Sequence, residues 1–480
     1  MATQTVQAVD HKLLVAGEWI ETGEWIEVSS PYDGTAVGRV AQGDATLVDR
    51  AVGAAHEAFK ADFPQHERAA VLERAAELVG ERTEELALTI AAEAGKPLKT
   101  ARVEASRCVD TLTFSAVEAR KLSGGTVPME ASPAGAGKLG VMLRVPYGVV
   151  GAISPFNFPL NLVAHKLGPA IAAGNAVVLK PAGQTPISAL KLAAILTEAG
   201  LPEGWLSVVP GPGSEVGNAI VEHELTRALT FTGSSKVGWG IRSRVPHKKV
   251  NLELGSNAPL IVHADGDWEA AADKAKLHAF SHAGQSCISI QRILVHEEVA
   301  DAFVERIVAN AEALVVGDPL DPETDVGPLI SAKDRDRVKE WVDEAVAAGA
   351  ELLAGGELVD DGRCLAPTLL GSPPHRAKVW QEEIFGPVAT IDRYRDFGEA
   401  LQLANDSRYG LQAGVFTRDV GRGLEAAEAL EFGGVLINEV PTFRADQMPY
   451  GGVKDSGNTR EGPAYAVLEL TEERFVTLQG

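Results

Sequence analysis

Cys287, one of three cysteines in the chain, follows the small and polar run Gly284-Gln285-Ser286 and precedes an apolar stretch at residues 290–295. The apolar stretch predicts a strand, so the thiol would lie in a flexible loop just before it. Such a thiol can act as a nucleophile when a base and an oxyanion-stabilising donor are near it. Taken alone, however, Cys287 is better explained as an inert core residue, because free cysteine is among the most buried residue types.

Two polar side chains that suit this chemistry come at the ends of other apolar runs. Asn157 follows residues 148–153 and stands in a loop that two prolines make rigid. Its amide can donate to a developing oxyanion, although an asparagine in a turn also bonds its own backbone. Glu253 ends the run at residues 249–253. In apolar surroundings its carboxyl would have a raised pKa and could act as a general base, or it could form a structural ion pair.

Residues that suit a nucleotide follow the neighbouring runs. Lys180 comes after residues 176–179 and suits a hydroxyl or a phosphate, although a surface lysine is an equal alternative. Gly233 and Gly238 let backbone amides and a helix N-terminus approach a phosphate. Their spacing differs from the usual G-x-G-x-x-G, and residues 211–217 miss that fingerprint by one residue, so each glycine loop alone is a weak signal.

These runs belong to an alternation of strands and helices that begins at Tyr147. Strands are predicted at residues 148–153, 176–179, 206–209, 228–231 and 249–253, with helices at 160–173, 188–198, 215–222 and 236–244. The alternation predicts a parallel sheet covered on both faces, which is a doubly wound α/β domain. Ligands of such sheets bind beyond the carboxyl ends of the strands, where Asn157, Lys180 and Glu253 stand.

The rest of the chain falls into three regions. Residues 11–42 predict short strands and turns, and residues 45–122 predict helices with a break at Gly95-Lys96-Pro97. After residue 254 a second α/β unit is predicted, with helices at 271–281, 300–313 and 335–348 and strands at 290–295, 388–391, 413–416 and 434–438. Residues 123–146 predict an extended ribbon whose edge needs a partner, which the strand-like end of residues 466–476 can supply.

Composition excludes several classes of function. At 480 residues the chain is expected to form two or three domains. Lys plus Arg number 44 and Asp plus Glu 66, so the net charge is −22, and neither nucleic acid nor a membrane is an expected partner. Three widely spaced cysteines predict a reducing compartment, without a disulfide framework or a metal site. Residues 1–5 show no start of a signal peptide and no apolar run could span a membrane, so a cytoplasmic location is expected.

Seven stretches, taken together and in order, resemble the aldehyde dehydrogenase superfamily over nearly the whole chain. They are Ser154-Pro155-Phe156-Asn157-Phe158-Pro159, Lys180-Pro181-Ala182, Phe231-Thr232-Gly233-Ser234, Leu252-Glu253-Leu254-Gly255, Gly284-Gln285-Ser286-Cys287, Glu382-Glu383-Ile384-Phe385-Gly386-Pro387 and Pro449-Tyr450-Gly451-Gly452-Val453-Lys454-Asp455-Ser456-Gly457. Because so many motifs occur in family order, the resemblance favours the nucleophilic interpretation of Cys287.

The resemblance implies an α/β fold of three parts. These are a Rossmann-like cofactor domain at residues 1–122 and 147–254, an α/β catalytic domain at 255–460, and a small β oligomerisation arm at 123–146 and 461–480. An arm of this kind suits a homodimer or homotetramer.

The resemblance also implies oxidation of an aldehyde to a carboxylic acid. Cys287 would attack the aldehyde to give a thiohemiacetal, and loss of hydride would leave a thioester. The Asn157 amide and the Cys287 backbone N–H would hold the oxyanion, and Glu253 would activate the hydrolytic water.

The cofactor implied is NAD or NADP. Lys180 would bind the adenosine ribose, Ser234 and the Gly233–Gly238 turn would face the pyrophosphate, and Glu383 with Phe385 would position the nicotinamide riboside. The full set of implied cofactor residues is Ile153, Ser154, Pro155, Phe156, Lys180, Ala182, Gly183, Gly213, Gly217, Phe231, Thr232, Gly233, Ser234, Val237, Leu254, Gly255, Glu383 and Phe385. NAD-preferring members often have Glu where this chain has Gly183, so NADP is expected to be tolerated.

The stretches at residues 409–414 and 442–446 look like those of the lactaldehyde and phosphonoacetaldehyde branch. Arg444 and Arg107 are then candidates to bind a small hydroxylated or anionic aldehyde, because a guanidinium binds carboxylate, phosphonate or sulfonate groups in a bidentate manner. The alternative is a structural ion pair, for instance between Arg444 and Asp446.

Two other functions compete with this interpretation. CoA-acylating semialdehyde dehydrogenases of the family usually lack the base, so Glu253 argues against that activity. A catalytically silent relative is the second alternative, and the presence of Cys287, Asn157 and Glu253 together argues against it. The sequence leaves open what lowers the thiol pKa: His282 stands five residues away, and the positive charge of a bound nicotinamide is another candidate.

Overall fold

The computed structural model describes residues 7–480, so the segment tested for a signal peptide, residues 1–5, lies outside the described residues. The strands of the first half are β1 (Val9–His11), β2 (Leu13–Val15), β3 (Glu18–Ile20), β4 (Trp25–Ser29), β5 (Ala36–Ala41), β6 (Gly125–Val127), β7 (Lys138–Pro146), β8 (Val149–Ile153), β9 (Ala176–Lys180), β10 (Leu206–Val208), β11 (Thr226–Thr232) and β12 (Lys249–Glu253). Its helices are α1 (Ala45–Phe59), α2 (Gln65–Glu81), α3 (Thr83–Ala94), α4 (Leu98–Lys121), α5 (Asn161–Ala173), α6 (Ile187–Glu198), α7 (Asn218–Glu222) and α8 (Ser235–Arg244).

The second half repeats the alternation. Its strands are β13 (Ala258–Val262), β14 (Ile290–His296), β15 (Glu351–Ala354), β16 (Leu358–Val359), β17 (Cys364–Leu365), β18 (Thr368–Gly371), β19 (Val388–Tyr394), β20 (Tyr409–Gly410), β21 (Gln412–Phe416), β22 (Gly434–Ile437), β23 (Val453–Lys454) and β24 (Thr471–Gln479). Its helices are α9 (Trp268–Phe280), α10 (Glu297–Glu312), α11 (Ala332–Ala347), α12 (Lys378–Gln381), α13 (Phe397–Asn405), α14 (Val420–Ala429) and α15 (Pro463–Glu469).

The first large sheet has seven strands in the order β12-β11-β8-β9-β10-β2-β3. The five predicted strands β8 to β12 are present and run parallel, and their apolar side chains are buried on both faces. The predicted helix at 215–222 is a regular α-helix only from Asn218. Residues Gly213–Gly217 form a π-helical turn instead, because the glycines at its two ends disfavour the α-helix. The predicted α/β fold class is confirmed.

The second large sheet has the order β15-β18-β19-β14-β13-β21-β22. The predicted strands at 290–295, 388–391, 413–416 and 434–438 are all present in it. Strand β13 was not predicted. It contains Pro259, a residue that argues against a central strand, and the register with β14 shifts between Ala258 and Pro259.

A three-stranded sheet of order β24-β7-β6 joins residues 125–146 to the C-terminal strand. The predicted ribbon finds its partner in the C-terminal strand: all nine residues of β7 pair with β24. The preceding helix α15 instead packs against α5 and α4, with Val467 and Leu470 buried in the first core. Within residues 7–480, no helix is both long and apolar enough to cross a membrane.

Candidate active site

Four strand ends in the first sheet bring the predicted polar residues side by side. Lys180 at the end of β9 is in register with Ile153 at the end of β8, and Ile153 is in register with Phe231 of β11. One step further along β11, Thr232 is in register with Glu253 at the end of β12. The parallel sheet therefore aligns the predicted cofactor lysine and the predicted base at one edge.

The loop before Cys287 has an unusual backbone. His282 and Ala283 both have φ near 52°, and Gly284 has φ of 67°. A side chain on Gly284 would overlap the carbonyl of Gly386, so only glycine lets the loop lie this close to the neighbouring motif. Two consecutive non-glycine residues with positive φ are strained, and strain of this kind occurs at functional sites.

The Cys287 thiol is partly buried, and Sγ lies 2.8 Å from the hydroxyl oxygen of Tyr450. Burial raises the thiol pKa to about 12; the hydrogen bond with Tyr450 and the charge of Arg444 oppose this rise, whereas Glu383 and Glu253 add to it. The two groups that lower the thiol pKa are therefore distant in sequence. Neither could be identified from the residues around the cysteine.

His282 does not activate the thiol. Its ring is buried, and neither ring nitrogen has a hydrogen-bond partner among the described residues. Burial and the nearby charge of Lys96 hold its pKa well below the usual value, so the imidazole is neutral. The ring packs edge-on to Phe158, at 6.5 Å between centroids.

Asn157 lies against the thiol loop. It is 3% exposed, and its Nδ2 donates to the carbonyl of Gln285 at 3.0 Å. The second Nδ2 hydrogen is not used by Gln285. The backbone N–H of Cys287 donates no hydrogen bond within residues 7–480. Two donors are thus available beside the sulfur.

Glu253 is buried, and no residue between 7 and 480 forms an ion pair with it, so the structural alternative for this residue is not supported. Neither carboxyl oxygen has a hydrogen-bond partner in the described chain. Gly451 provides the space, because a Cβ there would lie 2.6 Å from Glu253 Oε1. Burial, and then the charge of Glu461, raise the pKa of Glu253 well above its usual value.

The two candidate substrate arginines are held by different carboxylates. The suggested pair of Arg444 with Asp446 is wrong, since Arg444 donates to Glu461 at 2.9 Å. Asp446 instead accepts both donors of Arg107, at 2.8 and 3.0 Å, and contacts His165 Nε2 at 2.9 Å. The contacts of Glu461 with Arg444 and of His165 with Asp446 were not predicted, because only tertiary packing brings these residues together.

Both arginines nevertheless reach a small cavity beside the thiol. This cavity of about 30 Å³ is lined by Arg107, Phe158, Asn161, Leu162, Ser286, Cys287, Ile288, Arg444 and Tyr450. We call it the arginine-lined cavity. It contains two cations and no carboxylate side chain, although Asp446 and Glu461 lie directly behind the arginines.

A larger cavity of about 380 Å³ lies on another side of Cys287. Ten predicted cofactor residues line it, namely Pro155, Phe156, Ala182, Thr232, Gly233, Ser234, Leu254, Gly255, Glu383 and Phe385. Leu162 and Arg337, which were not predicted, line it as well, and so do Asn157 and Cys287. We call it the large cavity.

The other eight predicted cofactor residues lie outside this lining. Ile153, Ser154 and Phe231 are at or next to strand ends, and Lys180 is close to Gly217, where a Cβ would lie 3.6 Å from the lysine side chain. Gly183 and Gly213 adjoin open space, because a Cβ on either would meet nothing within 4 Å. Val237 is 51% exposed on α8.

Glu383 and Phe385 form the wall opposite the strand ends. Ser256 N donates to Glu383 at 2.9 Å, and burial raises the pKa of Glu383 to about 7. Only glycine fits at Gly255, because a Cβ there would overlap the Glu383 carboxylate. Phe385 has φ of 50°, and its ring packs edge-on to Phe156 at 5.7 Å.

One glycine of the predicted phosphate turn has a different role. Gly238 lies inside α8, where a Cβ would overlap Leu254, so this glycine allows the helix to pack on the strand end. Ser234 precedes α8 and does line the large cavity, as does Gly233. Gly233 and Ser234, the first residues of the turn, therefore border the large cavity, whereas Gly238 packs on Leu254.

The residues present fit a dinucleotide. Lys180 is 7% exposed, and within residues 7–480 its ammonium donates only to Pro181 O, at 3.0 Å. Burial lowers the pKa of Lys180, and no described carboxylate offsets this shift. Ser154 Oγ is buried and has no partner among residues 7–480. Unpaired buried donors of this kind are costly unless a ligand uses them, and ribose hydroxyls and phosphate oxygens are suitable acceptors.

Comparison with known proteins identifies the family. The profile of the Aldehyde dehydrogenase family matches residues 19–476. A 3-sulfolactaldehyde dehydrogenase of Priestia aryabhattai is 46% identical over 476 residues, which cover 99% of both proteins. The chain belongs to the aldehyde dehydrogenase family. This dehydrogenase is also 38% identical over 472 residues to a lactaldehyde dehydrogenase of Methanococcus maripaludis, covering 97% of this chain and 99% of that protein.

Solved structures agree with this assignment. Aldehyde dehydrogenase 21 from Physcomitrella patens, in complex with the reaction product succinate, superposes with a TM-score of 0.95 at 39% identity and covers 99% of both chains. The glyceraldehyde-3-phosphate dehydrogenase GapN from Methanocaldococcus jannaschii, complexed with NADP, superposes with a TM-score of 0.90 at 39% identity, covering 95% of this chain and 99% of that one. The dehydrogenase oxidises an aldehyde with NAD or NADP.

Proposed function

We propose that this dehydrogenase oxidises a small anionic or hydroxylated aldehyde to the carboxylate through covalent intermediates on Cys287. The observation that carries the proposal is the position of Cys287, whose side chain borders both the large cavity and the arginine-lined cavity. An aldehyde held by the arginines would therefore present its carbonyl to the sulfur, with the hydride acceptor on the other side.

In the first step the Cys287 sulfur attacks the carbonyl carbon, and the carbonyl π pair moves to oxygen. The free Nδ2 hydrogen of Asn157 and the Cys287 N–H donate to that oxygen and stabilise its charge. NAD or NADP bound in the large cavity supplies the hydride acceptor. Loss of hydride from the former aldehyde carbon leaves a thioester on Cys287.

Glu253 completes the cycle as the base. It takes a proton from water, the water oxygen attacks the thioester carbon, and the acid leaves as the Cys287–carbon bond breaks. Burial raises the pKa of Glu253 well above the usual value, so its carboxyl loses the proton at a higher pH than an exposed glutamate does. The hydrolysis rate should therefore rise with pH as Glu253 loses its proton.

The charges behind the arginine-lined cavity favour an anionic substrate. Arg107 pairs with Asp446 and Arg444 with Glu461, whereas Lys166 lies 3.8 Å from Glu461 and within the electrostatic reach of Glu253. Burial lowers the pKa of Lys166, and Glu461 at 3.8 Å opposes that shift. A carboxylate, phosphonate or sulfonate on the aldehyde would meet two guanidinium groups and no carboxylate side chain in the lining of this cavity.

The names of the relatives point to the same class. One acts on 3-sulfolactaldehyde, another on lactaldehyde, and the Physcomitrella enzyme was solved with succinate as its product. The arginine-lined cavity adjoins Cys287, so a group bound there would lie beside the sulfur. We infer an aldehyde of about three or four carbons with an anionic group or a hydroxyl.

NADP should be accepted together with NAD. The open space beside Gly183 leaves room for a 2′-phosphate, and no carboxylate side chain stands at that position to repel it. Lys180, which lacks a carboxylate partner, is close enough in the sheet to contribute a positive charge.

We further propose the three-part domain division, with the arm strand beginning at Thr471, and a homodimer or homotetramer in the cytoplasm. Leu139, Leu143 and Leu478 lie on one face of the arm and are 54%, 44% and 57% exposed. Such an apolar face supports contact with a second copy of the chain. The three free cysteines support a reducing compartment.

A panel of aldehydes tests the proposed reaction. Propanal, lactaldehyde, succinic semialdehyde, phosphonoacetaldehyde and 3-sulfolactaldehyde are compared by kcat/KM, each with NAD and NADP, with and without CoA. The proposal expects free acid as the product in both conditions, with anionic or hydroxylated aldehydes preferred over propanal. A CoA thioester as the main product, or a preference for propanal, would overturn it.

A further inference from the structure

Tyr450 is the one side chain that forms a hydrogen bond with Cys287 Sγ within the described residues, at 2.8 Å. Its phenol oxygen has no other hydrogen-bond partner there, and the residue is 2% exposed. Among the described residues, the hydrogen bond to the Cys287 thiol is therefore the only one that the phenol hydroxyl forms.

The ring of Tyr450 is fixed on two sides. Its backbone exchanges two hydrogen bonds with Glu461, at 3.1 and 2.6 Å. The guanidinium carbon of Arg444 lies 3.8 Å from the ring centroid, a cation–π contact, and the same arginine donates to Glu461. The hydroxyl therefore cannot swing away from the sulfur without breaking this packing.

We propose that Tyr450 is a further catalytic residue, whose hydroxyl donates a hydrogen bond to the Cys287 thiolate and holds Sγ at the junction of the two cavities. The proposal rests on the assignment of Cys287 as the nucleophile. While the sulfur is a thiol, either atom can be the donor, but once it is a thiolate only the phenol can donate. Burial also raises the pKa of Tyr450 well above its usual value, so the phenol keeps its proton.

The attack then needs no proton from Tyr450. The thiol proton leaves to solvent water, and the sulfur lone pair forms the bond to the carbonyl carbon while the π pair moves to oxygen. The phenol O–H bond stays intact throughout. As the sulfur loses its negative charge, its hydrogen bond to Tyr450 weakens, so the interaction acts on the thiolate before the attack.

The hydrogen bond lowers the thiol pKa and so increases the thiolate fraction, but it also makes the thiolate less reactive. Loss of one hydrogen bond to a charged group should raise the thiol pKa by about 1 to 2 units. The thiolate fraction at neutral pH then falls about 10- to 100-fold, but the more basic thiolate is about 3- to 10-fold more reactive. The net result is an alkylation rate about 3- to 10-fold lower at neutral pH.

The test is the rate of iodoacetamide reaction with Cys287 between pH 6 and 10, in the enzyme saturated with NADP, for wild type and Tyr450→Phe. Peptide mapping assigns the reaction to Cys287. The expected result is a pH–rate profile displaced to higher pH, with a rate 3- to 10-fold lower at pH 7. An unchanged or faster rate would overturn the proposal.

Two controls separate this role from structural damage. Tyr394→Phe removes another buried phenol, which bonds His263 and Val262 far from the thiol, and it should leave the alkylation profile unchanged. Replacement of Tyr450 by 3-fluorotyrosine keeps the shape and makes the phenol a stronger donor, so alkylation at pH 7 should become faster. A slower reaction of that variant would also overturn the proposal.

The outcome is distinguishable from failure of the proposed function. If Cys287 were not the nucleophile, Cys287→Ala would retain aldehyde oxidation, whatever Tyr450 does to the thiol. If Cys287 is the nucleophile and Tyr450 is only packing, Tyr450→Phe would leave the pH–rate profile in place.

Discussion

Glu383→Gln should stabilise the protein, and more so as the pH rises. The pKa of Glu383 is raised by burial from 4.5 to about 7, so the folded state binds this proton more tightly than the unfolded state. The resulting penalty is absent well below pH 4.5, grows as the pH rises, and is complete above about pH 7. Glutamine is neutral at every pH and removes the penalty.

The size of the effect follows from the two pKa values. With 4.5 unfolded and about 7 folded, the penalty is about 0.8 kcal/mol at pH 5.0 and about 3.3 kcal/mol at pH 8.0. Ser256 N donates to Oε1, and a glutamine oxygen can accept this bond while its amide replaces Oε2. Little packing should therefore be lost.

Glu93→Gln is the matched control. Burial raises the pKa of Glu93 to about 7 as well, but each of its oxygens accepts a backbone N–H, from Ile187 and Ser188, both at 2.9 Å. A glutamine amide would leave one of these donors unpaired, which costs about 1–3 kcal/mol at every pH. Glu93→Gln should thus have the same pH dependence as Glu383→Gln and lower stability at pH 5.

Urea unfolding at pH 5.0 and 8.0, followed by tryptophan fluorescence, measures both variants against wild type. The expected result for Glu383→Gln is a gain that grows by about 2.5 kcal/mol between the two pH values. Equal effects at both pH values, or a loss of stability at pH 8.0, would refute the assignment of a raised pKa to a buried, ligand-free Glu383.

Three further outcomes are expected. Arg107→Met should raise KM for a sulfonated or carboxylated aldehyde about tenfold or more, because one charge-assisted contact is lost. KM for propanal should rise less than about twofold. Equal changes in both KM values would show that Arg107 does not bind the substrate. Gly183→Glu should lower kcat/KM for NADP about tenfold or more relative to NAD, because a carboxylate repels the 2′-phosphate. In the wild type, a kcat/KM preference for NAD above about a thousandfold, roughly 4 kcal/mol, would contradict NADP tolerance. Leu139→Glu with Leu478→Glu should reduce the molar mass measured by light scattering, and an unchanged mass would exclude the arm face as the contact.

The residues at the end of a strand, or in the loop that follows it, could be predicted from the sequence. Asn157, Lys180 and Glu253 were identified because an apolar run ends beside each of them, and parallel strands bring such ends to one edge. Their register, Lys180 with Ile153 and Thr232 with Glu253, agrees with that reasoning.

The residues that act on these groups from a distance could not be predicted. Tyr450 and Glu461 come from the last sixth of the chain and reach the thiol and the base only through tertiary packing. The partner of Arg444 was misassigned for the same reason: Asp446 is near in sequence, but its side chain points to Arg107. Local sequence carries no information about which carboxylate a buried arginine will meet.

Two local sequence patterns, around Pro259 and Gly238, did not indicate the structure that is observed. Strand β13 was not predicted, and it holds Pro259 in a central position next to a shift in its register with β14. Gly238 was assigned to phosphate binding because of its spacing, whereas it is needed for packing against Leu254. A glycine pattern indicates that another group lies close to the backbone, but it does not show whether that group is a ligand or a protein side chain.

The most direct test of the account is the fate of the acyl group in Glu253→Gln. Mixed with NADP and a preferred aldehyde, this variant should form about one equivalent of NADPH per active site and then stop. Intact-mass and peptide analysis should find the acyl group on Cys287, and hydroxylamine should release it. Turnover at close to the wild-type rate, or an absence of any adduct on Cys287 after NADPH has formed, would contradict covalent catalysis by Cys287 with Glu253 as the base.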